Sequence, residues 1–286
     1  HLNMKNGVTD QLIEFKATGN GLFCIETLDP AWATENWTYE NGNIDEGVAF
    51  SVFCAPEDYT YVPDDNFEQA LIDLGYDDVL NDFVLTENIS SVTSLDVGAK
   101  QISDLTGIED FTALTTLHCD NNQLTSLDVS NNTALTLLNC NSNQLTSLDV
   151  SANTGLTWLD CDNNQLTSLD LSSNTALTYL HCQNNQLTSL DVSANTALTD
   201  LGCSSNQLTS LDVSNNTALT DLGCYGNQLT SLDVSANTSL TELRCYMNEI
   251  TSLDVSSNTA LTYLNCGHNQ LTSLDVSTNT ALTYLS

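Results

Sequence analysis

The amino-acid sequence predicts an α/β solenoid, a chain wound into stacked coils of 21 residues with a parallel β-sheet along the concave side. The first observation is a ladder of cysteines at a constant spacing of 21 residues: Cys119, Cys140, Cys161, Cys182, Cys203, Cys224, Cys245 and Cys266. The second is the alternation of apolar and polar residues before each cysteine, as in Leu117-His118-Cys119, which is typical of a short strand with one buried face. Each repeat therefore indicates one structural unit that buries its apolar side against its neighbours.

The repeat unit reads LTxLxCxxNQLTSLDVSxNTA and contains LxxLxCxxNxL, the spacing of a leucine-rich repeat. Alternation directs each cysteine into the core. We interpret these cysteines as small buried hydrophobic residues, because a ladder offers one sulfur per coil in a line, a poor geometry for zinc or for disulfides. The asparagine three residues later, Asn122 in the first coil, is predicted to satisfy backbone groups at the turn after the strand.

Residues 1–56 differ in character and are predicted to be the C-terminal end and cap of a preceding leucine-rich-repeat array. The stretches around Leu2 and Phe15 read as degenerate coils. Cys24 and Cys54 flank a poorly periodic segment that contains tryptophans and has little core of its own. A disulfide between them is favoured over two free thiols, and it would be consistent with an oxidising compartment.

Residues 57–91 are predicted to hold a linker and a short N-terminal capping helix at about 64–74. Asp64 is the candidate N-cap of this helix and Gly75 its stop. Residues 92–286 form the predicted leucine-rich-repeat array, truncated in the middle of a repeat. Because uncapped coils would expose core leucines, we expect the chain to be part of a longer protein with tandem arrays.

Three segments together resemble a known family: the LxxLxCxxNxLTSLDVSxNTA repeat, the VPDDNFEQALIDLGYDDVL helix and the CIETLDPAWATENWT stretch. They are similar to the secreted leucine-rich-repeat surface proteins of the Bacteroidetes type, with a general similarity to internalin arrays. The resemblance covers essentially the whole chain. It implies an exported binding protein at the cell surface or in the extracellular space, without a catalytic motif.

The charge of the chain excludes two classes of partner. Its 286 residues include four lysines and arginines against 37 acidic residues, which gives a formal net charge of -33. Nucleic acids and anionic membranes are bound through clustered basic residues, so neither is an expected partner. The sequence also has no apolar run of about 18 residues, and membrane insertion is not predicted.

A second ladder of charged residues runs along the other wall of the predicted solenoid. Its members are Asp128, Asp149, Asp170, Asp191, Asp212, Asp233, Asp254 and Asp275. Local hydrogen bonds from the serine two residues later are the favoured compensation for these like charges. Calcium held between coils is the alternative, and it would need about six to eight oxygen ligands per ion. No other cofactor is expected.

Copies of the repeat within the chain differ mainly around each cysteine, whereas LTSLDVS is almost constant. Neutral drift would also scatter the exposed positions of Ser126 and Asp128, which do not vary between copies. We therefore predict a ligand-binding face on the concave side. Its candidate residues are Trp158, Asp160, Tyr179, His181, Asp200, Asp221, Tyr225, Glu242, Arg244, Tyr246, Tyr263 and Tyr284.

These residues favour a non-catalytic extracellular recognition module, used in adhesion, for a protein or glycan ligand. Aromatic side chains suit both kinds of ligand, and the sequence does not separate them. An enzyme is not expected, because a regular ladder of exposed side chains offers no pocket that shifts pKa values and excludes water. The alternative function is a structural spacer or filament component of a large cell-surface protein.

Overall fold

The computed structural model describes residues 2–4, 15–19, 24–28, 30–51 and 58–286. The chain divides into two compact units, His1–Tyr59 and Thr60–Ser286. Each unit has its own parallel sheet and its own core.

The first unit contains a three-stranded parallel sheet of β1 (Leu2–Asn3), β2 (Cys24–Glu26) and β3 (Ala49–Ser51), with helix α1 at Pro30–Asn36. A small core of Ala17, Ile25 and Ile44 lies beneath it. The assignment of this region to the end of another array stays a prediction.

The predicted disulfide falls outside the described residues. Cys54 lies in the stretch 52–57, and of Cys24 only the backbone is described.

The predicted capping helix lies near the start of the second unit, between two short strands. Strands β4 (Tyr59–Tyr61) and β5 (Phe83–Leu85) pair, and between them helix α2 spans Asp65–Leu74. Asp64 caps α2 by accepting hydrogen bonds from the backbone amides of the second and third residues after it, both at 3.0 Å. Gly75 ends the helix in the left-handed region with a φ of 82°. The helix predicted at about 64–74 is thus confirmed.

Helix α3 (Thr86–Ile89) precedes the array, and a 3-10 turn at Ile108–Asp110 lies between its first two strands. Ten parallel strands then stack in sequence order. They are β6 (Ser94–Asp96), β7 (Thr116–His118), β8 (Leu137–Asn139), β9 (Trp158–Asp160), β10 (Tyr179–His181), β11 (Asp200–Gly202), β12 (Asp221–Gly223), β13 (Glu242–Arg244), β14 (Tyr263–Asn265) and β15 (Tyr284–Leu285). The predicted leucine-rich-repeat solenoid is confirmed.

The register places equivalent residues side by side, so that Leu180 pairs with Leu159 on one side and with Leu201 on the other. All eight ladder cysteines are buried and free, as predicted. Burial raises the pKa of their thiols, which keeps them protonated and unreactive.

An asparagine ladder closes the turn after each of the eight strands that precede a ladder cysteine, as the repeat predicts. The Asn143 amide donates to the carbonyl oxygens of Cys119 at 3.0 Å and Cys140 at 3.1 Å. Its oxygen accepts from the backbone amide of Leu124 at 3.0 Å. One side chain therefore holds two successive coils together through three hydrogen bonds.

A second asparagine ladder was not predicted. It comprises Asn132, Asn153, Asn174, Asn195, Asn216, Asn237, Asn258 and Asn279, all nearly or fully buried. The Asn153 amide, for example, donates to the carbonyl oxygens of Val129 at 3.0 Å and Asn132 at 2.9 Å. The two asparagine ladders thus tie the coils together at different turns.

The wall opposite the sheet is not a continuous sheet. Leu124, Leu127 and Val129 are buried there, but within residues 58–286 only an isolated bridge, between Asp128 and Asp149, pairs this wall. The backbone instead turns at each aspartate, whose carboxylate accepts the backbone amide two residues later at 2.8–2.9 Å.

These turns confirm the predicted local hydrogen bonds of the aspartate ladder. The serine hydroxyl and amide two residues after each aspartate lower the pKa of its carboxyl. The like charges therefore have local compensation, and calcium between coils remains an untested alternative.

Candidate functional site

The candidate site lies on the solvent side of the ten-stranded sheet. We use the term sheet face for the strand residues that flank each buried leucine, together with the residue after each ladder cysteine. All twelve predicted ligand-binding residues lie on the sheet face, eleven half-buried and Tyr284 exposed at 44%. The strand register brings them into adjacent columns.

Three aromatic pairs stack along the sheet face. The ring centroids lie 4.6 Å apart in Trp158–Tyr179, 4.4 Å in Tyr225–Tyr246 and 4.3 Å in Tyr263–Tyr284. Interplanar angles of 4–7° make the rings nearly parallel. The stacking follows from the fold, because equivalent residues of adjacent parallel strands are separated by about 4.8 Å.

His181 connects two of the predicted residues across neighbouring coils. Its Nδ1 lies 2.7 Å from the Tyr179 hydroxyl, and its Nε2 lies 3.0 Å from a carboxylate oxygen of Asp200. Burial opposes protonation of the ring, but the hydrogen bond and charge of Asp200 outweigh it, with a further contribution from Asp162. The net effect raises the pKa of His181.

Asp162 and Gln183 belong to the same network and were not predicted as site residues. The Asp162 carboxylate accepts from the backbone amide of Gln183 and, at 3.2 Å, from its side-chain amide. Burial and the nearby charge of Asp160 raise the pKa of Asp162 to about 6. The sequence signal was their position directly after a ladder cysteine, where the other copies also vary.

Arg244 on β13 pairs with an acidic residue of the preceding strand and with one of its own strand. One guanidinium nitrogen lies 2.9 and 3.1 Å from the two carboxylate oxygens of Asp221, and the other pairs with Glu242. The guanidinium carbon also lies 5.1 Å from the ring centroid of Tyr263. Burial raises the pKa of Asp221, although the arginine opposes this shift.

A depression of about 240 Å³ lies between His181 and Arg244. Its floor is formed by Gly202 and Gly223, which pair on adjacent strands and leave a gap in the columns of side chains. A Cβ atom on Gly202 would lie 2.8 Å from Cδ2 of His181, so a larger residue would displace that ring. Its remaining lining residues are Gln183, Asp200, Leu201, Asp221 and Tyr225.

This depression interrupts the regular ladder of side chains, and it was not predicted. The physical reason is that two consecutive repeats lack a side chain at the same position, so the neighbouring residues form walls. Two successive glycines in a column of longer polar residues were the sequence signal.

The backbone conformation restricts which residue types occur at the variable position two residues after each ladder cysteine. Its residues occupy the left-handed region, from Asn121 at a φ of 54° to His268 at 52°. Asparagine and glycine, which occupy four of the eight copies, suit this conformation, and serine or histidine occupies three others. Met247 is the departure, with a φ of 54° and 56% of its surface exposed beside the Tyr225–Tyr246 pair.

The Asp162 network gives a testable pH dependence. The folded state holds the Asp162 proton more tightly than the unfolded chain, so stability is gained as pH falls through about 6. The raised pKa of His181 acts in the same direction, because its contribution is lost as pH rises. Asp162→Asn is expected to raise the free energy of unfolding at neutral pH by about 1 kcal/mol, a value reduced for partial solvent screening.

Urea unfolding at several pH values between about 5 and 8 measures this effect. Asp149→Asn is the matched control, because the serine hydrogen bonds that lower the pKa of Asp149 confine its titration to more acidic solution. An Asp162→Asn variant with the same pH slope as the wild type would contradict the assignment.

Within the described ranges, every helix is too short or too polar to span a membrane.

Comparison with known proteins identifies the repeat. A family model described as leucine-rich repeats in two copies matches residues 154–195 and 238–279, and a single leucine-rich-repeat model matches 204–226. A model of the LVIVD repeat matches residues 119–142.

Internalins of Listeria monocytogenes are among the similar proteins. Internalin J is 48% identical over 72 residues, which are 25% of this chain and 8% of internalin J. Its solved functional domain, described as including a cysteine ladder, is 47% identical with a TM-score of 0.76, over 79% of this chain and 51% of that domain. A crystal structure of another internalin (inlF) is 25% identical with a TM-score of 0.66, over 79% of this chain and 76% of that one.

The chain thus spans about half of the solved internalin J domain. Both have a cysteine ladder, and the TM-score of 0.76 shows that their folds agree over the matched region. The chain therefore has a leucine-rich-repeat fold, and it is similar to the solved internalin J domain in sequence and in structure.

Proposed function

We propose that the chain is a non-catalytic extracellular recognition module that binds a protein or glycan ligand on its sheet face, in adhesion. The observation that carries this proposal is the placement of three stacked aromatic pairs and a polar depression on one face. The opposite wall repeats the same serine and aspartate in all eight cysteine-containing repeats and offers no comparable diversity.

The chemistry of the sheet face suits a ligand with both flat apolar and polar surfaces. Stacked rings offer contact area with few rotatable bonds, so little conformational entropy is lost on binding. Carboxylates, an amide and a guanidinium around the depression supply hydrogen-bond partners for hydroxyl or amide groups. This combination is found both in glycan-binding surfaces and at protein interfaces.

The arrangement favours binding over catalysis. His181 and Asp162 have perturbed pKa values, but their hydrogen bonds go to neighbouring side chains of the sheet face. The depression is shallow, and its walls are half-buried side chains rather than a closed cavity. A hydrolase would need groups directed at a substrate in a site that excludes water.

Binding can be tested with the triple variant Trp158→Ala/Tyr179→Ala/Tyr246→Ala. The chain is labelled and applied to a glycan array, and beads coated with it are applied to cultured mammalian and bacterial cells. We expect the variant to bind at least tenfold more weakly than the wild type, because buried aromatic anchors typically contribute more than about 1 kcal/mol each.

The matched control is Ser168→Ala/Ser189→Ala/Ser252→Ala, which changes the opposite wall of the same three coils and should bind as the wild type does. Unfolding curves of both variants verify that they are folded. Equal binding by the aromatic variant, or no binding by the wild type to any surface, would favour the structural spacer instead.

A further inference from the structure

The cap before the array carries a cluster of three carboxylates outside the sheet face. Asp65 is the first residue of α2, Glu68 lies one helical turn later, and Asp82 immediately precedes β5. One oxygen from each carboxylate lies within 4.8 Å of the other two. The three side chains therefore point at a common volume.

Glu68 is the distinctive member of this cluster. It is fully buried, and its Oε1 accepts hydrogen bonds from the backbone amides of Asn81 at 2.8 Å and Phe83 at 3.1 Å. Its Oε2 is buried as well and has no hydrogen-bond partner among the described residues. A buried carboxylate oxygen without a partner is costly, and a bound cation would remove that cost.

Basic residues do not neutralise the cluster. The second unit contains one lysine and one arginine, Lys100 and Arg244. Lys100 lies 3.6 Å from a carboxylate oxygen of Asp73, and Arg244 is engaged with Asp221 on the sheet face. In the described part of the chain no ion pair joins a basic residue to the cluster, so three acidic groups share one volume without a counter-charge.

We propose that Asp65, Glu68 and Asp82 bind a calcium ion. Carboxylate oxygens are hard ligands, which calcium and magnesium both prefer. Asp65 and Asp82 are exposed, so water can complete the coordination sphere. Calcium tolerates an irregular set of oxygens, whereas magnesium requires a nearly ideal octahedron. This site is separate from the aspartate ladder and does not depend on the proposed recognition function.

Calcium at this position would join α2 to the loop before β5. Glu68 already holds that loop from the helix side through its Oε1, and the ion would add a second link through Asp82. The helix covers the first coils of the array, since Phe67 packs against Phe111 with 6.4 Å between ring centroids. Calcium is therefore expected to stabilise the cap.

Isothermal titration calorimetry tests the site on the whole chain after treatment with a chelator. The wild type should bind one calcium ion that is lost or at least tenfold weaker in Asp65→Asn/Asp82→Asn. Calcium at tenfold above its Kd should raise the Tm of the wild type by about 3–6 °C and should not raise that of the variant. Asparagine tolerates the left-handed φ of 66° at residue 82, so the variant is expected to fold.

The control variant is Asp78→Asn/Glu87→Gln, which removes the same charge from exposed positions of the same cap and should bind calcium as the wild type does. Three results would overturn the proposal: no calcium binding up to millimolar concentrations, an unchanged affinity in Asp65→Asn/Asp82→Asn, or equal affinity for magnesium. An unchanged affinity would assign the calcium to the aspartate ladder instead.

Discussion

Replacing Asn185 by alanine is expected to lower the free energy of unfolding by about 3–5 kcal/mol, because several buried backbone groups lose their partners. The Asn185 amide donates to the carbonyl oxygens of Cys161 at 3.0 Å, Cys182 at 3.1 Å and Gln183 at 3.2 Å. Its oxygen accepts from the backbone amide of Leu166 at 3.0 Å. Alanine supplies neither donor nor acceptor at this turn. Urea unfolding followed by circular dichroism measures the loss.

Gln186→Ala is the control for this experiment. Its side chain is exposed, and its backbone amide, which donates to the Leu166 carbonyl, is kept by alanine. The control should remain within about 0.5 kcal/mol of the wild type. If Asn185→Ala were equally mild, water would have replaced the side chain, and the asparagine ladder would not be a main source of stability.

Leu201→Ala is expected to cost about 2–5 kcal/mol, since it removes a fully buried side chain from the middle of the stack. Leu201 pairs with Leu180 and Leu222 on its two sides, so the cavity would be bounded by ordered neighbours. A regular stack of strands has little freedom to collapse into such a space. The midpoint of urea unfolding is the measurement.

The same substitution at Leu285 is a control within the chain, because Leu285 occupies the equivalent repeat position in the last strand and is 50% exposed. Leu285→Ala should change stability by no more than about 0.5 kcal/mol. Similar losses at both positions would mean that repeat position, and not burial, determines the contribution of a leucine.

The fold could be predicted because the most strongly buried residues recur every 21 residues. Leu117 and Cys119 recur with the same alternation in all eight cysteine-containing repeats, and only a stacked arrangement buries all of them. The second asparagine ladder escaped prediction although Asn132 recurs equally regularly. An asparagine in a turn can face water or the core, and the sequence alone does not distinguish these orientations.

The sheet face was predicted as a set of positions, but its contacts were not. His181 leans across Gly202 toward Asp200 in the next coil, and Tyr225 reaches back to Gln183 two coils earlier at 3.4 Å. These directions depend on rotamers and on the space left by neighbours about 20 and 40 residues away, which a single repeat does not encode. Predicting the depression would have required recognising that two glycines on adjacent strands leave a gap in the column of side chains.

In-register pairing has an evolutionary consequence. Since each coil meets the next through the same residues, excising one whole coil would join two surfaces that already fit. The stack would shorten by about 4.8 Å. If the excised coil were the one that contains β11, the Tyr225–Tyr246 pair would lie one coil closer to the Trp158–Tyr179 pair. Gain or loss of whole units by recombination can therefore change the distance between the aromatic pairs while leaving the core chemistry untouched, which makes this distance an adjustable property of the scaffold.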